Sequence, residues 1–260
     1  EGGNDFFDAE VEAAREVGIR FHPYRGSMSL SRKDGGLPPK EVVQTEEEIL
    51  SESKRVIDEY HGRERLSMVQ VGLAPCSPFS VTDEIMKQTS EMAKREDLSL
   101  HTHLAETEDE NEFCLNQVGL RPVEYMERLG WLSERVSFAH LVHLTDEEIE
   151  KLSKAGVGMS HCPSSNMRLG SGIAPVVKMK DTGIKISMAV DGSASNDTSN
   201  MVKELRQALL LQRVKYGAES LTPREVIRFG TIGGARALGR SYEIGYIEPG
   251  KAADLVIVDL

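Results

Sequence analysis

The feature that most constrains this chain is a repeated unit in which a short apolar run ends in a histidine or a carboxylate. The carboxyl ends of neighbouring parallel strands share one edge of a sheet, so such side chains would meet there. The units are Leu98–His103 with Glu106 beyond it, Val136–Ala139 with His140, Val157–Ser160 with His161, and Ile186–Val190 with Asp191. Histidine and carboxylate gathered at strand ends are typical of a metallohydrolase.

Strand and helix signals alternate along the chain. Six short apolar runs have the length and near-continuous hydrophobicity of strands buried on both faces. They are Gly18–His22, Met68–Leu73, Leu98–His103, Val136–His140, Gly156–Ser160 and Lys185–Val190. Helix starts are predicted at Thr45, Thr82, Thr145 and Thr222, with a Glu three residues beyond three of them and a Pro directly after Thr222. The alternation predicts an α/β fold with a parallel sheet.

A (β/α)8 TIM barrel and an open sheet both satisfy this pattern. Functional residues at several different strand ends favour the barrel, and neither G-x-G-x-x-G nor a P-loop motif is present. Six strands are two short of a barrel, so we expect an incomplete one that lacks its first strands. Both ends of the chain look cut, because it begins without Met and ends on a strand-like run, Asp254–Leu260.

Charge and composition exclude several classes of partner. The formal net charge of −11 argues against nucleic acid and against an anionic membrane surface. The chain contains neither a membrane-length apolar run nor an amino-terminal signal segment. Three widely spaced cysteines favour a reducing cytoplasm over a disulfide framework.

Several motifs together carry a family resemblance. His103-Leu-Ala-Glu106, Ala139-His140, His161-Cys-Pro-Ser-Ser-Asn166 and Val190-Asp191-Gly-Ser-Ala-Ser-Asn196 resemble the amidohydrolase superfamily, in its branch of purine, S-adenosylhomocysteine and triazine hydrolases. Phe21–Ser29, Gly35–Pro39 and Ala74–Phe79 are similar to the corresponding stretches of 8-oxoguanine deaminases. The resemblance implies a barrel over residues 1–245. It also implies the start of the C-terminal part of a small β-sandwich over 246–260, with the other flanking β-sandwich parts missing.

The resemblance also implies a single Zn²⁺, or iron, held by a His-x-His pair on the first strand and by a His and an Asp on later strands. His103 and Asp191 match the last two ligands, while no histidine precedes Gly18. One His and one Asp fall short of the three protein ligands of a catalytic zinc. From this inventory we expect the fragment alone to bind metal poorly and to be inactive.

The implied chemistry is hydrolytic deamination, in which a metal lowers the pKa of water toward neutrality. Asp191 would bind the metal and accept a proton from that water. Glu106 would carry the proton to a ring nitrogen and to the departing ammonia, and His140 would hydrogen-bond the attacking hydroxide.

The residues that would recognise the substrate leave alternatives open. Arg25 and Ser27, after the first predicted strand, either meet polar atoms of a purine or, for Arg25, form a structural ion pair. His161 and Asn166 would line the pocket, or Asn166 would pin its own loop. His101 is predicted to be structural, because metal ligands cluster at the carboxyl end of a strand.

The leading functional hypothesis is a metal-dependent deaminase of an oxidised purine, converting 8-oxoguanine to urate and ammonia. The alternatives are an amino- or chlorohydrolase acting on a hydroxytriazine, guanine or an S-adenosylhomocysteine-type substrate, and a non-catalytic partial barrel that serves as an interaction module. A small heterocyclic substrate is the expected partner, and a homo-oligomer is possible.

Overall fold

The computed structural model describes residues 5–257 and contains one parallel sheet of six strands. The strands lie side by side in chain order, each hydrogen-bonded in parallel to the next. They are β1 (Tyr24–Ser27), β2 (Gly72–Pro75), β3 (Leu100–Leu104), β4 (Val136–His140), β5 (Gly158–His161) and β6 (Lys185–Met188). Consecutive parallel strands joined by helices form an α/β arrangement that corresponds to an incomplete TIM barrel.

Helices connect the strands and pack against the sheet. They are α1 (Asp5–Val17), α2 (Glu46–Tyr60), α3 (Asp83–Glu96), α4 (Glu108–Val118), α5 (Pro122–Arg128), α6 (Asp146–Ala155), α7 (Pro163–Leu169), α8 (Val176–Thr182), α9 (Met201–Tyr216), α10 (Pro223–Arg228) and α11 (Gly234–Ala237). Short 3-10 turns occupy Arg32–Asp34 and Lys40–Val42, and a π-helical turn occupies Phe229–Gly233. Within the described residues, no helix is both long enough and apolar enough to cross a membrane.

The predicted helix starts are confirmed. Thr45, Thr145 and Thr222 each close a reciprocal capping box with the Glu three residues later, and the Thr82 hydroxyl caps α3. In α2 the apolar positions at helical spacing face the core: Ile49, Val56 and Ile57 are buried. Burial of this face, more than helix propensity, holds such a helix against the sheet.

The first two strands lie further along the chain than predicted. Phe21 forms only an isolated bridge to Val69, and regular pairing begins at Tyr24. Pro23, which has no N–H to donate, separates the two stretches. Arg25 and Ser27 therefore lie within β1 rather than after the first strand. The second predicted strand, Met68–Leu73, likewise gives way to β2 at Gly72–Pro75.

The other four strands agree with prediction more closely. Val136–His140 is a strand over the predicted residues, and the remaining three differ by a few residues at their ends. Residues 246–257 contain no strand, so the described part of the strand-like run from Asp254 is irregular. Residues 258–260 lie outside the described residues, and the assignment of 246–260 to a β-sandwich stays a prediction.

Candidate active site and metal centre

Three side chains converge at the carboxyl edge of the sheet. His103 lies near the end of β3, His140 ends β4, and Asp191 lies three residues beyond β6. One potential ligand atom from each lies within 4.8 Å of the other two. The prediction that His103 and Asp191 approach each other is confirmed, and His140 joins them as a third member. We call these three residues the His-His-Asp cluster.

The backbone at this edge adopts conformations that non-glycine residues rarely take. Ala105, His140, Leu141 and Asp191 have φ values of 51°, 71°, 48° and 63°. Each such left-handed residue costs about 1–3 kcal/mol, and strain of this kind concentrates at functional sites. Hydrogen bonds hold the turns: Leu141 N donates to Leu104 O at 3.1 Å, and Val142 N donates to Ala105 O at 2.9 Å.

The ring of His103 is oriented by the chain after β2. Its Nδ1–H donates to the carbonyl oxygen of Cys76, and the Cys76 Sγ lies 3.8 Å from the same nitrogen. Burial lowers the pKa of His103, but the contacts with Cys76 and the charge of Asp191 outweigh burial and raise it to about 9. Because Nδ1 is engaged, Nε2 is the nitrogen available for a ligand.

His140 and Asn166 form a buried pair, each with an exposed fraction of 1%. His140 Nδ1 donates to Asn166 Oδ1 at 2.8 Å, while Nε2 lies 3.6 Å from Oε2 of Glu106. Burial lowers the pKa of His140, against the opposing charge of Glu106. Asn166 therefore fixes the tautomer of His140, a role that neither prediction for Asn166 anticipated.

Asp191 is held by two serines. The Ser165 hydroxyl donates to Asp191 Oδ2, and the Ser195 hydroxyl donates to the same oxygen at 3.2 Å. Partial burial raises the pKa of Asp191, but the Ser165 hydrogen bond, the Gly192 N–H and the two histidines lower it by more. The ionised form of Asp191 is therefore favoured.

Glu106 lies in the turn after β3, with its carboxylate facing the cluster. Besides its approach to His140, its Oε1 accepts a hydrogen bond from the Ser171 hydroxyl at 3.3 Å. The position of Glu106 beside His140 allows proton transfer to a molecule bound at the cluster.

Two further histidines, His161 and His101, lie outside the His-His-Asp cluster. His161 is buried at the end of β5, and neither of its ring nitrogens has a hydrogen-bond partner among the described residues. His101 Nδ1 lies 2.9 Å from the Ser137 hydroxyl, and burial lowers the His101 pKa to about 3. His101 thus stands outside the His-His-Asp cluster, as predicted.

A cavity of about 500 Å³ extends from His103 along β1. Its wall includes Tyr24, Arg25, Ser27, Gln44 and Cys76. The Tyr24 ring lies 5.5 Å from that of His101, on the face that carries the cluster, so Arg25 points to the opposite face because side chains alternate along a strand. The Arg25 guanidinium donates to Gln44 Oε1 at 2.8 Å, a structural contact with a neutral amide and not the ion pair that the sequence left open.

Two curated deaminases match almost the whole of this chain. The chain is 54% identical over 253 residues to the 8-oxoguanine deaminase of Pseudomonas aeruginosa, covering 97% of this chain and 56% of that protein. It is 40% identical over 255 residues to the 5'-deoxyadenosine deaminase of Methanopyrus kandleri, covering 98% of this chain and 56% of that protein. The chain thus spans slightly more than half the length of these curated relatives.

A solved structure matches the fold closely. The atrazine chlorohydrolase of Arthrobacter aurescens TC1, complexed with zinc, superposes with a TM-score of 0.92 at 36% identity, covering 95% of this chain and 55% of that one. The family model described as the amidohydrolase family matches residues 3–260. The chain belongs to the amidohydrolase family.

Proposed function

We propose that the protein is a metal-dependent aminohydrolase that converts 8-oxoguanine to urate and ammonia. The observation that carries the proposal is the His-His-Asp cluster, with Glu106 beside it, in a chain 54% identical to an 8-oxoguanine deaminase. The cluster supports a metal-dependent hydrolase, and the similarity supports the substrate.

The cluster fits a metal ion by its donor set. Two imidazoles and one carboxylate are ligands that zinc accepts, and three protein ligands are the number typical of a catalytic zinc. We assign His103, His140 and Asp191 as these ligands, with one Zn²⁺ per site and iron as the alternative. From the sequence alone, only two ligands were counted in this chain, His103 and Asp191. With His140 as the third, we expect this chain to bind metal.

The bound ion would supply acidified water and polarise the group under attack. The Asp191 carboxylate, which accepts a hydrogen bond from Ser165, would accept a proton from that water. Glu106 would receive this proton from Asp191 and pass it to a ring nitrogen. The second proton, from the new hydroxyl on the ring carbon, would pass through the same carboxylates to the amino group, so that the C–O bond becomes C=O and the C–N bond breaks to release ammonia. The Ser171 hydroxyl donates a hydrogen bond to the Glu106 carboxylate. His140, oriented by Asn166, is proposed here as a metal ligand in place of the hydrogen bond to the hydroxide that was expected from the sequence.

The purine would occupy the cavity that opens from His103. Arg25 points away from the face of the cluster, but Arg25 and Ser27 line the same cavity as His103. We therefore keep them as the part of its wall that discriminates between purines. Asn166 orients His140 through its hydrogen bond. His161, which is buried at the end of β5, stays a candidate lining residue of the pocket.

A second ring system is the competing substrate. The 5'-deoxyadenosine deaminase and the chlorohydrolase share the fold and are 40% and 36% identical to this chain. The site chemistry serves any amino or chloro substituent on such a ring, and only the cavity wall selects among them.

An ammonia-release assay on the protein produced from its complete coding sequence tests the proposal. We expect 8-oxoguanine to exceed guanine in kcat/KM by roughly 10- to 100-fold, the effect of about 1–3 kcal/mol for an unpaired buried polar group. A better rate with guanine, 5'-deoxyadenosine or a hydroxytriazine would overturn the substrate. Ammonia release from none of these would favour the interaction module.

We further propose a cytoplasmic location, because Cys76, Cys114 and Cys162 are all free thiols. Burial and the nearby carboxylates raise the pKa of Cys162 far above its ordinary value, which fits an inert thiol. A small heterocycle is the proposed partner, and self-association is left to direct measurement of the oligomeric state.

A further inference from the structure

Four helices of this chain begin with Thr-x-x-Glu, and one of them uses its Glu differently. In three, the Glu side chain accepts a hydrogen bond from the N–H of its own Thr, which closes the capping box. In α4 the Thr107 hydroxyl still accepts from Glu110 N, but the Glu110 carboxylate reaches past the cap into the preceding turn. At α4, the helix that follows Glu106, the Glu of the motif therefore binds the preceding turn and not its own Thr N–H.

The Glu110 carboxylate accepts hydrogen bonds from two consecutive N–H groups of that turn. Oε1 accepts from Ala105 N at 2.8 Å, and Oε2 accepts from Glu106 N at 2.9 Å. Only 3% of Glu110 is exposed, and it forms no ion pair within residues 5–257. A buried carboxylate is costly unless such donors satisfy it, so the two backbone hydrogen bonds are what retain Glu110 here.

The turn at Ala105 and Glu106 has a strained backbone, and a second segment of the chain also hydrogen-bonds to it. Ala105 has φ of 51°, and its carbonyl accepts hydrogen bonds from Val142 N at 2.9 Å and His143 N at 3.0 Å. The peptide unit that begins Glu106 is therefore fixed between Glu110 and the chain that leaves His140. A shift of this unit would move the Glu106 carboxylate relative to His140.

The pKa of Glu110 responds to groups of the Glu106 turn. Burial raises the pKa of Glu110 to about 7, with a further contribution from the charge of Glu106, while the Ala105 and Glu106 N–H groups oppose the rise. A cation pairing with Glu110 would have suggested a purely structural carboxylate. The hydrogen bonds that Glu110 accepts and the negative charge beside it belong instead to the turn of Glu106, and the charge of His103 also lowers its pKa.

We propose that Glu110 is a positioning residue, which holds the 105–106 peptide so that the Glu106 carboxylate stays 3.6 Å from His140. The inference rests on the proposed function, since it assigns Glu106 as the proton carrier. Glu110 touches neither the cluster nor the cavity, so it acts only through Glu106.

Glu110→Gln is the informative substitution. The Gln oxygen can accept a hydrogen bond from one of the two N–H groups. The Gln NH2 group would then lie against the other N–H, and because both are donors, the turn must move. A displacement of about 1 Å at a catalytic group can cost roughly 100-fold in rate. We expect kcat to fall roughly 10- to 100-fold, with KM within about threefold and metal content unchanged.

Glu148→Gln is the matched control. Glu148 is also a buried Glu at the third position of its helix, with 6% exposed, but it closes its own capping box and pairs with Arg121 at 2.8 Å. We expect this variant to lower the thermal midpoint and to leave kcat within about threefold of the wild-type value. The difference in kcat between the two variants isolates positioning from loss of a buried carboxylate.

A crystal structure of Glu110→Gln supplies a readout that is independent of turnover. We expect the Glu106 carboxylate to leave its place beside His140 while His103 and Asp191 stay together. If this variant does not fold, Glu110→Asp, whose shorter carboxylate cannot reach both N–H groups, takes its place in the same measurements.

An unmoved Glu106, or a kcat loss equal to that of Glu148→Gln, would overturn the inference. If the wild-type protein releases ammonia from no substrate, the proposed function fails, and the crystal structures alone decide whether Glu110 sets the turn.

Discussion

Asn166→Ala should weaken metal binding without touching a metal ligand. Asn166 Oδ1 accepts from His140 Nδ1 at 2.8 Å, and both residues are almost fully buried. Removal of the acceptor leaves a buried imidazole N–H unpaired and frees the ring to change tautomer. Partners of this kind typically contribute 10- to 100-fold to metal affinity.

The expected loss converts to about 1.4–2.7 kcal/mol of binding free energy. The unpaired N–H should also lower the free energy of unfolding of the metal-free protein by about 1–3 kcal/mol. Zinc affinity is measured by competition with a chromophoric chelator, and stability by urea denaturation. Asn166→Asp, which retains an acceptor oxygen at this position, should keep zinc affinity close to the wild-type value.

Asn111→Ala is the control for loss of a buried amide. Asn111 is 4% exposed and donates to Glu108 Oε2 at 3.0 Å, away from the cluster. It should cost stability and leave zinc affinity unchanged. If Asn166→Ala binds zinc within twofold of the wild-type protein, the assignment of His140 as an oriented ligand is refuted.

Three further predictions concern proton transfer, recognition and pH. Glu106→Gln should retain zinc by metal analysis and lose roughly 10²–10⁴-fold in ammonia release, because an amide cannot relay protons; near-normal turnover would place the shuttle elsewhere. Arg25→Lys should reduce the preference for 8-oxoguanine over guanine roughly tenfold in kcat/KM, since a lysine cannot replace the planar guanidinium; an unchanged preference would make Arg25 purely structural. His22, whose pKa burial and the charge of Arg240 lower to about 3, should make stability fall as the pH drops below about 6.5.

The sign for His22 follows from its neutral folded state. The unfolded chain binds a proton near pH 6.5 that the folded chain excludes down to about 3, so the contribution is complete above 6.5 and is lost toward 3. Between pH 7 and pH 5 the wild-type protein should lose about 2 kcal/mol more than His22→Asn in urea denaturation. Parallel pH profiles for the two proteins would contradict the lowered pKa.

Local signals in the sequence were enough to predict the helix starts and the proximity of two site residues. A Thr-x-x-Glu box depends on four residues, so Thr45, Thr145 and Thr222 could be recognised without knowledge of the fold. The approach of His103 to Asp191 follows from the shared carboxyl edge of parallel strands. These features need no information about side-chain packing.

The features that escaped prediction depend on packing between distant segments. Asn166, in α7, meets His140, at the end of β4, across 26 residues, and no local pattern encodes this contact. Glu110 and Glu48 stand at the same position of the same motif, but Glu110 binds the strained turn at Ala105. Pro23 shifted the first strand because one missing N–H outweighs the hydrophobicity of the preceding residues.

The most direct test of the account is the position of a metal ion at the His-His-Asp cluster. Crystals of the protein grown with zinc, measured at the zinc absorption edge, should show one anomalous peak about 2.0–2.2 Å from a nitrogen of His103, a nitrogen of His140 and an oxygen of Asp191. A peak elsewhere, or none at saturating zinc, would contradict the metal centre on which the proposed function depends.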